Sequence, residues 1–133
     1  MRGISCLKAY YIVMEITFKV FLTLHLIGLA GLLGGLLSQI SAKPKKLAPL
    51  VLHSAWLMII AGVGMVGINQ AMHSNDATVE LVNQTTVGIK SLVIAVILTI
   101  GYRNIKKSEL STRAWAMMTA LATLNVILAV FGI

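Results

Sequence analysis

Four stretches of this chain are each long and apolar enough to cross a lipid bilayer, and that feature decides what the rest can be. They fall at about 16–40, 47–71, 86–102 and 114–133, with residues 1–15 as a short N-terminal lead. A membrane-crossing helix needs roughly 20 mostly apolar residues. The spans use most of the 133 residues, which leaves no room for a soluble domain. Composition agrees: 58% of residues are hydrophobic and 11% charged, where a soluble domain carries about 45–50% apolar and about 25% charged residues. Inside a bilayer no water satisfies exposed peptide groups, so spans of this kind are helical. Short connections force successive helices to run antiparallel as neighbours. The expected fold is therefore all-α, an integral membrane up-down four-helix bundle forming a single transmembrane domain.

A formal net charge of +7 invites a nucleic-acid reading, but the distribution of charge argues against it. Lys43, Lys45 and Lys46 lie in the first connection, and Arg103, Lys106, Lys107 and Arg113 in the third. The second connection, His73 to Thr85, has no Lys or Arg and carries Asp76 and Glu80. Lys and Arg close to membrane ends mark the cytoplasmic side. Loops 41–47 and 103–113 are thus expected in the cytoplasm and both termini outside, with the bilayer and not nucleic acid as the partner. Arg2 and Lys8 run against this pattern. Met14, followed by EITFKVFL, makes an ordinary lead into the first helix, and translation from it would sharpen the asymmetry. Otherwise the segment is an interfacial lead with Tyr10 and Tyr11 at headgroup depth. The apolar run from Val20 to Leu37 is longer than the 7–15 residues of a signal-peptide core and no small-residue cleavage site follows it, so no cleaved signal is expected. Cys6 is the single cysteine, which excludes an intrachain disulfide and a cysteine-cluster metal site.

Punctuation and packing follow the same plan. Pro44 and Pro49 bracket the first turn and the start of the second helix, where a missing N–H costs little. Ser111 and Thr112 are candidate N-caps for the fourth helix. Gly28, Gly31 and Gly35 in the first span, and Gly64, Gly67 and Ala71 in the second, are spaced for close approach of helix backbones. Plain helix packing is enough to account for them.

Three ionisable groups sit at membrane depth: His25, His53 and Lys90. Such groups are costly in a bilayer and are functional candidates for that reason. Asn69 and Asn125 are neutral, and an interhelical hydrogen bond suffices for each. His25 and His53 suggest a haem clamp, but they lie before the midpoints of antiparallel helices, which separates them in depth by about 12 Å at the helical rise. Lys90, on a helix parallel to the first, comes within about 3 Å of the depth of His25 by the same count. Depth therefore selects His25 with Lys90 for an outer-half site that takes a metal centre, a porphyrin or an anionic headgroup. The structural alternatives are a Lys90 that snorkels to the interface, an interfacial His53, and a His25 satisfied by a neighbouring helix.

The first helix, FKVFLTLHLIGLAGLLGGLL, resembles that of the HemJ-type membrane protoporphyrinogen oxidases and their small four-helix relatives. There a basic residue precedes a histidine and a Gly-Leu pair follows, matched here by Lys19, His25 and Gly35-Leu36. The third helix, VGIKSLVIAVILTIGYRN, is similar in opening on Lys90 and ending near Gly101-Tyr102, and LVLHSAWLMIIAGVGMV resembles the second. The similarity spans about Lys19 to Asn104. A tryptophan usual in the first helix is Leu32 here, and the polar fourth helix of that family is not matched by TALATLNVILAVFGI. The resemblance implies haem b as cofactor, with His25 as iron ligand, Lys90 beside it, and oxidoreductase chemistry on a porphyrin. The rival expectation is a non-enzymatic accessory subunit, without cofactor, in a homo-oligomer or a larger membrane complex such as a respiratory one. A transporter would want paired intramembrane charges, and the chain has none.

Overall fold

The computed structural model describes residues 2–131, so residues 1, 132 and 133, at the outer ends of the lead and the fourth span, lie outside the described residues. Four helices follow in order: α1 (Arg2–Leu37), α2 (Pro49–Asn75), α3 (Gln84–Asn104) and α4 (Thr112–Phe131). All four are long and apolar enough to span a membrane. The chain is an all-α up-down four-helix bundle and a multi-pass membrane protein. Many large apolar side chains face outward, among them Val63, Leu92 and Val130 at 68%, 67% and 73% exposure. Water would penalise such a surface; lipid tails accept it.

Local chemistry sets the helix ends. Pro49 opens α2, where its absent N–H has no intrahelical partner to lose. Asn83 caps α3 by accepting from Thr85 N and Thr86 N at 2.9 and 3.3 Å. Ser111 Oγ accepts from Ala114 N at 3.1 Å and caps α4. α1 runs without a break through residues 2–15, the segment read from sequence as a lead. At about 1.5 Å per residue it is longer than the hydrocarbon core is thick. Its N-terminal turns rest on the end of α2, where Asn75 Nδ2 donates to Tyr10 OH at 3.0 Å.

The bundle is built from two helical hairpins. α1 packs closely along α2 and α3 on α4, while contacts of α1 with α4 and α2 with α3 join the hairpins less tightly. α1 and α3 occupy a diagonal and make no close approach among the described residues. Glycines set the α1–α2 contact: a Cβ on Gly28 would lie 2.8 Å from Met58 Cγ, one on Gly35 2.7 Å from Val51 Cγ2, and Gly31 abuts Ser54. Gly64 gives its place to the ring of Phe21. Gly67 does not join them. Nothing lies within 4 Å of where its Cβ would be, because the buried line of α2 passes through Met58, Ala61 and Asn69 and leaves Gly67 to one side.

The core gathers toward the end that carries the first and third connections, around Leu32, Leu36, Val51, Ala55, Ile97 and Met118. Lys45, read from sequence only as one of the loop cations that mark the cytoplasmic side, is buried there. Its Nζ donates to the carbonyls of Gln39, Ile40 and Ala42 at 2.8, 3.1 and 3.2 Å and lies 4.6 Å from the Trp115 ring centre. Trp115 Nε1 donates to Leu36 O at 2.7 Å. Together they bond a carbonyl in the last turn of α1 and three in the connection that follows it. Leu110 N donates to Lys45 O at 2.7 Å, which ties the third connection to the first.

At the opposite end the α2–α3 connection is held from below by Asn69. Its Nδ2 donates to Glu80 O and its Oδ1 accepts from Val82 N, both at 2.9 Å. Asn69 thus binds a loop and not a neighbouring helix. His73 Nδ1 meets Val79 O at 2.6 Å and adds a second tie.

Candidate functional site

His25 is half-buried on the α2-facing side of α1, and its Nδ1 lies 3.0 Å from Met58 O. A carbonyl oxygen only accepts, so Nδ1 carries the proton and donates it. In the neutral ring the other nitrogen, Nε2, then keeps its lone pair. Metal-binding histidines are oriented in the same way, with one ring N–H given to a backbone carbonyl and the other nitrogen left to ligate. The ring also rests on Gly62, where a Cβ would stand 3.6 Å from Nδ1. The hydrogen bond by itself accounts for a histidine at this depth; the unengaged Nε2 is what it leaves over.

Contacts along the helices give the depth of the other candidates. Gly101 abuts Leu52, fixing the register of α3 against α2. Eleven residues toward the opposite end from that contact are Lys90 on α3 and Val63 on α2. Val63 is next to Gly62, on which His25 rests, so His25 and Lys90 lie in one layer of the bundle to within about 2 Å. They belong to the diagonal helices α1 and α3, whose backbones make no close approach among the described residues. His53 is separated from Met58 and Gly62 by five and nine residues of α2, about 7–14 Å of rise. It is exposed on the outside of the bundle and faces away from His25.

Lys90 is half-buried on the stripe of α3 that includes Thr86, Ile94 and Ile97. Among the described residues the one ion pair is the exposed Lys19–Glu15 contact, so Lys90 has no acidic partner. Two further polar groups in this half of the molecule were not picked out from sequence as site residues. Thr86 Oγ1, one turn from Lys90, and Asn125 Oδ1 on α4 are buried without a hydrogen-bond partner. Asn125 and Ile94 are each seven residues from the Gly101–Met118 contact, which sets Asn125 about one turn below Lys90. Asn125 was expected to bond across helices, and its oxygen is unpartnered here. Thr86 could have been found from its spacing of four before Lys90; nothing in the sequence tells that its hydroxyl lacks the usual helical acceptor.

The donor set is sparse for a bare metal ion: among the described residues no group of three His, Cys, Asp or Glu is placed to hold one. What the layer offers is one imidazole nitrogen without a partner on α1 and one ammonium without an acidic partner on α3. The chain matches no known protein family, no characterised protein and no solved structure.

Proposed function

We propose that this protein holds a haem b or a related porphyrin between its two hairpins, with His25 as iron ligand through Nε2. Lys90 serves as a second ligand or as the cation for a propionate. The observation that carries this reading is the His25–Met58 hydrogen bond, which fixes the tautomer a ligand histidine needs. Bound haem supplies electron transfer, or hydrogen transfer when a reduced porphyrin is the substrate, and the likeness of the first three helices to HemJ-type oxidases supports the second. Met58 orients the imidazole, and the surrounding apolar helices exclude water. Orientation follows the basic loops: segments 41–47 and 103–113 in the cytoplasm, both termini outside. Protein expressed with sufficient haem and purified in mild detergent shows a Soret band. Lys90→Met shifts or weakens that band, and a colourless wild type overturns the proposal.

An accessory subunit is the second reading, and one feature favours it. Ala116, Thr119, Ala120 and Thr123 line an open groove of about 500 Å³ along α4, which no other helix of the bundle fills. Small residues on such a face let another membrane helix approach closely. Recovery of the chain within a much larger membrane complex, without haem, would establish this reading instead.

A further inference from the structure

The end of the bundle formed by the first and third connections carries six exposed cations: Lys43, Lys46, Arg103, Lys106, Lys107 and Arg113. Glu109 is the one acidic residue in those two connections, and none of the six is ion-paired among the described residues. Their closeness is built in, since Leu110 N bonds to Lys45 O and the Lys45 ammonium lies over Trp115. Both basic segments are thereby held at one membrane surface.

One corner of this end has more than charge. Trp56 on α2 donates its Nε1–H to Tyr102 OH on α3 at 2.7 Å, and the two rings are 44% and 54% exposed. Amphipathic aromatics of this kind settle at the depth of lipid headgroups. The helices come close here because Gly101 has no side chain to hold off Leu52. His53, exposed on α2, is one turn before Trp56, and Arg103, also exposed, follows Tyr102. The polar groups offered are mainly donors: the guanidinium, the imidazole N–H and the O–H of Tyr102. From Trp56 toward the bundle middle, Ile60 and Val63 continue an outward apolar track, 62% and 68% exposed.

We infer that the α2–α3 corner of the basic end is a docking surface for an anionic phospholipid. The phosphate meets Arg103, His53 and Tyr102, and an acyl chain lies along Trp56, Ile60 and Val63. The exposed Arg103 guanidinium at this corner, with no carboxylate paired to it, selects a lipid with net negative charge over a zwitterionic one that carries the same phosphate. A Lys or Arg next to anionic lipid is worth about 1 kcal/mol, close to fivefold in affinity, and Arg103 is the one placed at this corner.

The test uses the full chain in vesicles of phosphatidylglycerol and phosphatidylcholine in which one lipid at a time carries brominated acyl chains. Bromine quenches tryptophan on contact, and the part of the quenching that Trp56→Phe removes, with Trp115 left in place, gives relative lipid occupancy at Trp56. The inference predicts severalfold preference for phosphatidylglycerol at low salt, weakened by added salt. Arg103→Gln lowers the preference about fivefold, and Trp56→Phe removes most of the lipid-dependent quenching. Arg113→Gln, at the foot of α4, leaves the preference in place. Equal quenching by the two lipids overturns the inference. So does an equal loss in Arg103→Gln and Arg113→Gln, which would mean a diffuse basic rim and no docking surface. Each substituted residue is exposed, and unchanged helicity by circular dichroism confirms that the variants fold.

Discussion

The three basic residues of the KPKK turn have different physical duties. Lys45 is buried against Trp115 and gives its three N–H bonds to carbonyls of the turn that follows α1, whereas Lys43 and Lys46 are exposed. Lys45→Met keeps the aliphatic stem and removes the donors. It is expected to lower stability by about 1–3 kcal/mol, while Lys46→Met stays within about 0.5 kcal/mol. Reversible unfolding in mixed micelles against added dodecyl sulfate measures both, and an unchanged Lys45→Met would show that water serves those carbonyls equally well. Sequence could not separate the lysines, because the ring that covers Lys45 arrives from α4. The same holds for His25. A histidine at depth is visible in the sequence, but its tautomer depends on a carbonyl 33 residues away. At the other end, Thr78 donates its O–H and N–H to Asp76 Oδ1 at 2.6 and 3.0 Å, which holds the Asp76 carboxyl below its ordinary value of 3.8. A carboxylate with a depressed folded pKa contributes stability above its unfolded pKa and loses it as pH falls through the folded one. Protection of the Thr78 amide against hydrogen exchange should therefore hold at neutral pH and decline only below 3.8. Asp76→Asn should weaken it at neutral pH and remove the acid-dependent decline.

Among the elements, α1 and α2 are specified most completely. Glycine spacing along α1 indicates a close helix contact, and Gly28, Gly31 and Gly35 all meet α2. Gly28→Ala places a methyl 2.8 Å from Met58 Cγ and 2.9 Å from the backbone oxygen of Ser54. Backbone cannot yield as a side chain does, so the helices must part, at a cost of about 1–3 kcal/mol. Gly67→Ala meets nothing and should stabilise α2 by up to about 1 kcal/mol through helix propensity. Unfolding midpoints of the two variants are expected to move in opposite directions; a matched decrease would contradict the assigned contact face. Gly64 and Gly67 look equivalent in sequence, and only the rotation of α2 about its axis, set by Phe21 and Ala61, tells them apart. Helix number, order and caps were legible because bilayer thickness, Pro49 and Ser111 act locally. The start of α1 was not, since nothing in residues 2–15 breaks a helix and the partner that extends it, the end of α2, is distant in sequence.

At the scale of the whole molecule, the two hairpins place His25 and Lys90 in one layer and leave His53 outside. Depth counting along ideal helices could foresee that much. It could not foresee that α1 and α3 are diagonal, because composition does not set the lateral order of four helices. The proposed orientation has a native reporter in Cys6, the single cysteine, which is exposed near the start of α1. A membrane-impermeant maleimide should label it in intact cells stripped of their wall, and protection until lysis would reverse the orientation. The haem reading is tested most directly by titrating the purified protein with haem and following the Soret band. A band that saturates at one haem per chain, persists in His53→Ala and disappears in His25→Ala is the predicted result. Retention of full binding in His25→Ala, or no saturable band in the wild type, would contradict it.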